Sequence, residues 1–229
     1  AYESRDPRLQ MAVITPYAQY NGASSGIAHT YTLRWPYRGS DSAEPFDIRT
    51  DTNDKFYYLW RKFVPEGLEQ TERDTYGLDI PLIRYAEVLL LKAEALNEWG
   101  STHESEAIRC VNEVRRRAGH VELNNATYPA TKVNGQSDLR ERIRNEYYWE
   151  IGGEDSMYFH ELRWGTWKDK KFDNNRNGLM QMWGETTYTW YWLGDQCWSW
   201  PIPAKEMEMN SNLEQNEGCL LYTSPSPRD

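Results

Sequence analysis

Between Pro81 and Trp99 the apolar positions Leu82, Ala86, Leu89, Leu90, Ala93 and Leu96 fall at the three-to-four spacing of one helix face. Pro81 suits a first helical turn and Gly100 the residue just past the last one. Ser101 and Glu104 have capping-box spacing, and a second helix is predicted through Ala107, Ile108, Val111, Val114 and Ala118, stopping at Gly119. Two amphipathic helices joined by so short a turn make an antiparallel hairpin about the length of one tetratricopeptide unit. One such unit cannot bury its apolar faces alone, so it needs partners from elsewhere in the polypeptide.

A polar loop, Val121–Gln136, precedes a third predicted helix that starts at Ser137 or Asp138. It runs through Leu139, Ile143 and Tyr147 to Ile151, is stopped by Gly152 and Gly153, and has Arg142 and Glu146 spaced to pair on its surface. A shorter helix is expected over Ser156–Trp164. Before Asp79 no helical period persists. Short strand-like pieces at Met11–Thr15, Tyr31–Trp35 and Lys55–Val64 are separated by turn residues. Near the other end, Tyr188, Trp190 and Trp192 alternate, Gly194-Asp195 is a two-residue turn signal, and Trp198, Trp200 and Ile202 alternate again. The pattern predicts a β-hairpin over 183–203. The fold class is therefore mainly α, with tetratricopeptide-like helical hairpins, long loops and a small β-hairpin. The predicted layout is a loop-rich segment 1–79, a helical segment 80–165 and the Trp-rich hairpin, all within one domain of residues 1–219.

Composition adds one strong feature. The 229 residues include 11 Trp and 16 Tyr but only 5 Phe, and 39% of the chain is hydrophobic. Much of any core must then be built from rings that carry an N–H or O–H, which favour half-wet positions. Such rings suit the C–H faces of sugars as well as an ordinary core. A formal charge of -9 excludes nucleic acid as a partner, because phosphate binding needs clustered cations. The longest apolar run, around Val88–Leu91, is far too short to cross a bilayer. There is no basic-then-apolar leader at Ala1 and no initiator Met, so the chain reads as the interior or tail of a longer protein. Cys110, Cys197 and Cys219 are too few for a disulfide framework or a zinc site, and do not report a compartment.

Several patterns touch on chemistry. Gly22-Ala23-Ser24-Ser25-Gly26 fits the nucleophile-elbow pattern, which requires a strand before it and a helix after it; the surrounding residues favour a flexible loop. Asp173 to Gly178 fits the first half of a calcium loop, but the position for the bidentate Glu is Gly184, so a polar turn is the simpler reading. His160-Glu161 lacks the second His of a zinc-protease helix, since Trp164 stands there. His29, His103 and His120 read as surface or loop residues, and Arg115-Arg116-Arg117 as a solvated basic run near a helix end. No metal, cofactor or catalytic residue is expected.

Several runs together resemble the SusD/RagB family. They are Asp6-Pro7-Arg8-Leu9, Lys62-Phe63-Val64, the run from Pro81 to Glu98 (PLIRYAEVLLLKAEALNE) and Asn112 to Gly119 (NEVRRRAG). Near the end stand Trp200-Pro201-Ile202-Pro203, Glu206 and Asn210 to Gly218. The likeness runs in order from Asp6 to Gly218. Glu154-Asp155-Ser156-Met157 lacks the Gly and Arg usual before the next segment, and His160-Glu161-Leu162-Arg163-Trp164 departs from the family's Asp-Leu-Arg-Arg-Trp, which suggests a divergent subgroup. The resemblance implies a C-terminal half of a non-catalytic, lipid-anchored glycan-binding protein on the outer face of the outer membrane. It further implies delivery of oligosaccharides to a SusC-type TonB-dependent transporter, with the anchor in a missing N-terminal part. The tail Leu220–Asp229 resembles the translation of sequencing-adapter read-through and is set apart as a disordered, non-native segment.

For glycan binding two ring groups compete: Tyr31, Trp35 and Tyr37 on the loop-rich segment, and Trp190 and Trp192 on the predicted hairpin. Asn21, Arg34, Arg38 and Asp195 are polar groups near them in sequence. The rival readings are a helical-repeat scaffold for a protein or peptide, and a hydrolase of glycans or esters.

Overall fold

The structure is a computed structural model and describes residues 5–15, 17–24, 27–34, 47–49, 59–67, 79–154, 156–171, 192, 194 and 198–216. It divides into two compact units, Ala1–Met157 and Tyr158–Asp229.

The first unit opens with helix α1 (Arg8–Ala12) and strand β1 (Val13–Ile14). Strands β2 (Gln19–Ser24), β3 (Ile27–Arg34) and β4 (Asp47–Arg49) follow, then β5 (Leu59–Trp60). β2 and β3 pair antiparallel, and β4 joins β3 in parallel. β1 pairs antiparallel with β5, which sets Val13 opposite Trp60. The strand-like reading of Met11–Thr15 is corrected: Met11 and Ala12 close a helical turn, and only Val13 and Ile14 are extended. That turn is fixed by a side-chain contact two residues long, which strand-like alternation does not register. Asp6 accepts from both the backbone N–H and the guanidinium of Arg8, so the chain is bent as α1 starts.

The helical hairpin is as expected in kind. Helix α2 (Tyr85–Trp99) and helix α3 (Glu104–Arg117) are followed by α4 (Gln136–Ile151). Their shared core is Leu89, Leu90, Ala93 and Leu96 from α2, Ala107, Ile108, Val111 and Val114 from α3, and Leu139, Ile143, Tyr147 and Ile151 from α4. Burying each Leu, Ile or Val of this set stabilises the unit by about 1.5–3 kcal/mol. Two side-chain clamps close the loops around it. Asn112 exchanges hydrogen bonds with both backbone groups of Leu123, at 3.2 and 2.7 Å. Asn97 and Gln136 each donate to the other's backbone carbonyl. A buried amide so paired keeps its polar atoms satisfied and fixes where the strap 121–135 lies.

Four local expectations are corrected. Pro81–Arg84 is not helical: Arg84 is extended at φ -113°, ψ 151°, and Leu82 is 89% exposed. Ser101–His103 form a 3-10 turn and no side chain caps α3, so the capping box is not made. Arg142 pairs with Asp138 one turn back, while Glu146 is fully buried. Arg115 is likewise buried rather than solvated, at 4% exposure. Gly100 and Gly119 end their helices with positive φ, a conformation that costs glycine little.

α2 differs from its neighbours in being apolar on both sides. Val88 and Leu91 face away from the core and are 47% and 40% exposed, as are Tyr85 and Trp99 to a greater degree.

The second unit contains α5 (Ser156–Arg163), which begins in the first, then α6 (Trp167–Lys171) and α7 (Ala204–Met209). The residues 198–203, expected as the returning strand of a hairpin, form a turn and irregular backbone; most of the remainder of 183–203 lies outside the described residues. The segment is held instead by Gln215, whose amide accepts from Ile202 N–H at 2.7 Å and donates to its carbonyl at 2.9 Å.

Candidate functional site

In the first unit the segments that carry the family resemblance converge on one buried network of charges. Glu146 on α4 is fully buried and lies 2.8 Å from Arg8 and 2.7 Å from Arg115. One turn on, Glu150 pairs with Arg8 and Arg84, each at 3.0 Å, and with Arg117. Glu154 holds Arg84 at 2.8 Å and pairs with Lys62, whose ammonium also donates to the carbonyls of Glu150 and Gly152. Glu146, Glu150 and Glu154 are spaced by four residues, so a single side of α4 and its exit collects cations from α1, the loop after β5, the entry to α2 and the end of α3.

The electrostatics follow from this packing. Burial alone would push the Asp6 carboxyl up, but hydrogen bonds and charge from Arg8 hold it below its ordinary value. Glu150 behaves alike: desolvation is outweighed by Arg8, Arg84 and Arg117, and its carboxyl stays below the usual range. His120 is pushed down by burial, with Asp6 at 3.7 Å opposing the shift.

A cavity of about 310 Å³ opens beside the network, lined by Arg8, Met11, Ala12, Lys62, Phe63, Arg84, Arg117, Trp149, Glu150 and Glu154. Its cations are already used. Lys62 donates three hydrogen bonds, and Arg84 spreads its guanidinium over Glu150 and Glu154. Arg117, 60% exposed and paired with Glu150, is the cation of this lining with the most donors to spare among the described residues. The arrangement is built to join segments rather than to capture an anion.

The expected ring residues lie elsewhere. Tyr31 is on β3 opposite Tyr20 and half-buried, packed on the small cluster of Ile14 and Tyr20. Trp192 belongs to the second unit, where it meets Trp167 at 5.8 Å and Trp198 at 4.9 Å between ring centroids. The planes cross at 72° and 56°, one edge-to-face and one tilted contact rather than a flat platform, and the Lys168 ammonium lies 5.0 Å over Trp192. Trp35, Tyr37 and Trp190 lie outside the described residues, as do Asp173 to Gly178. Ser24 closes β2, whose partner is the adjacent antiparallel β3, so it does not stand at a strand-to-helix turn. Among the described residues no cluster of three His, Cys, Asp or Glu is placed to hold a metal.

Two exposed indoles that line one pocket were missed in the sequence: Trp60, 55% exposed on β5, and Trp149, 43% exposed on α4. Trp149 is two residues past the core ring of Tyr147, a spacing that turns it off the buried stripe.

Comparison with known proteins agrees with the earlier resemblance. The SusD family model matches residues 1–218. A SusD-like protein P38 of Formosa agariphila is 32% identical over 139 residues, 60% of this chain and 24% of that protein. The starch-binding protein SusD of Bacteroides thetaiotaomicron is 28% identical over 160 residues, 69% of this chain and 25% of that one. The chain thus spans about a quarter of the length of these curated relatives. A SusD-like protein of Bacteroides fragilis superposes with a TM-score of 0.60 at 22% identity, over 95% of this chain and 39% of its own, which shows a shared fold.

Proposed function

Because this chain belongs to the SusD family, we propose that it is part of a non-catalytic surface protein that binds oligosaccharides or polysaccharides and hands them to a SusC-type TonB-dependent transporter. The observation that carries the reading is the family match over residues 1–218, together with a relative that is itself named a starch-binding protein. In this reading the protein sits on the outer face of the outer membrane, held by a lipid anchor that a longer polypeptide supplies. Residues 1–219 form the working unit and 220–229 take no part. Tyr31, Trp35 and Tyr37, or Trp190 and Trp192, supply rings for stacking on sugar.

Support against a hydrolase comes from Ser24, which ends a strand paired with the antiparallel β3 rather than leading into a helix. A scaffold for a protein partner is the second reading, favoured by the outward apolar side of α2, and the transporter is one such partner.

The test is a binding screen of the protein against a panel of polysaccharides by affinity electrophoresis, repeated with Trp35→Ala and Trp190→Ala. Retarded migration in at least one glycan, lost in one of the variants, is expected. Unaltered binding in both variants would remove both ring groups from the site, and no retardation in any glycan would remove the glycan reading itself.

A further inference from the structure

We propose that Trp60 and Trp149 form a stacking site for one neutral pyranose ring of an oligosaccharide, in a pocket of about 200 Å³ between α1 and α4. The inference rests on the glycan reading above and adds to it a place and a ligand class. Trp60, Trp149, Tyr148, Asp6, Arg8 and Gly152 are among the residues lining the pocket. Both indoles keep about half their surface in water although each is fixed in place, and an exposed ring that is also immobilised loses little entropy on binding.

What fixes them is visible. The β1–β5 pairing sets Trp60 across from Val13, and its ring lies on the turn after α4. Gly153 has φ +81°, and a Cβ there would come within 2.8 Å of the Trp60 ring, so glycine is what lets the indole lie down on the turn. Trp149 is braced from α3 and the turn beyond it: the Arg115 guanidinium is 5.6 Å over its ring, and His120 meets it T-shaped at 5.5 Å.

The choice of a neutral ligand follows from the charges. Asp6 receives the backbone N–H and the guanidinium of Arg8 at 2.6 to 2.9 Å, and Arg8 spends further donors on Glu146 and Glu150. A uronate or sulfate would require a cation in the lining with donors to spare, and an amino sugar a spare carboxylate. The one cation and the one carboxylate named in the lining, Arg8 and Asp6, already neutralise each other, and four of the five Arg8 donors are committed. The wall offers two indoles for the C–H faces of a sugar and, at one edge, carboxylate lone pairs that can still accept from hydroxyls. About 200 Å³ is below the size of pockets that enclose drug-sized ligands and suits a single ring, the rest of the chain lying outside.

Isothermal titration with maltoheptaose, cellohexaose, laminarihexaose and, as the acidic probe, an oligogalacturonate tests the inference on the 229-residue chain and on Trp60→Ala, Trp149→Ala and the two Phe variants. The expected result is binding of a neutral probe, weakened about tenfold or more by each Ala and within about threefold of the parent in each Phe variant. Binding that both folded Ala variants retain overturns the inference and leaves the glycan reading standing. Binding of the oligogalacturonate alone overturns it as well, and binding of no probe removes both. If the Ala variants fail to fold, the indole N–H signals of the parent, assigned from the Phe variants, decide. Titration must shift those of Trp60 and Trp149, and unmoved signals under saturating probe overturn the site.

Discussion

Glu146 shows how much one side chain can carry. It has no contact with solvent, and it separates two guanidinium groups, those of Arg8 and Arg115, that would otherwise repel each other in a poorly polarisable interior. Removing one member of a buried pair leaves the other charge stranded, so Glu146→Ala is expected to lower stability by about 3–5 kcal/mol in urea denaturation. A loss below about 1 kcal/mol, the range of exposed pairs, would show that water reaches Arg8 and Arg115 and that the network is not buried. None of this was legible beforehand. Glu146 reads as a surface partner of Arg142 four residues earlier, and Arg115 as one of three solvated cations, because local spacing holds no information on what arrives from residues 6–8. Asp6, Arg8, Lys62, Arg84 and Arg115 do lie in the runs that carry the family likeness, and the structure shows why such residues occur together: they meet.

At the scale of elements, α2, α3 and α4 were readable from period and glycine stops, since each has a buried stripe that its sequence advertises. The start of α2 was not. Leu82 continues the helical spacing, but Arg84 donates to Glu150 and Glu154, and those long-range bonds hold the backbone extended. The same network makes stability depend on acid. Asp6 and Glu150 titrate below their ordinary values when folded, so their contribution is complete above the unfolded carboxylate range of about 4 and is lost as the pH falls through the lower folded values. His120 is also lowered, by burial, so the unfolded chain takes up its proton first, near pH 6.5, and stability already declines below that point. The urea midpoint is expected to be flat above about pH 7, to slip as the pH falls below about 6.5, and to fall steeply below about 4. A midpoint unchanged down to pH 4 would exclude the His120 contribution, and His120→Gln should flatten the upper step alone.

For the molecule as a whole, α2 is the element with unmet demands. A helix apolar on two sides belongs in an interior, and Val88 and Leu91 lie on a side that the described residues leave in water. Val88→Glu combined with Leu91→Glu is therefore expected to reduce self-association of the 229-residue chain in light scattering while leaving the urea midpoint nearly unchanged. A large drop in the midpoint would mean that these side chains are packed after all. The two indoles of the proposed stacking site were the least legible feature. With 11 Trp and 16 Tyr, abundance hides position, and alternation drew the eye to 188–192 rather than to Trp60 and Trp149, whose exposure depends on a turn and on a neighbouring segment.

The convergence on Glu150 has a further consequence for motion. Arg8, Arg84 and Arg117 come from three distant parts of the chain and share this one carboxylate, so no one of those parts can lift away without disturbing the balance for the others. Amide hydrogens of α1, of the entry to α2 and of the last turn of α3 should then exchange with solvent in a single concerted opening, at a common free energy, instead of fraying in turn from the chain's beginning.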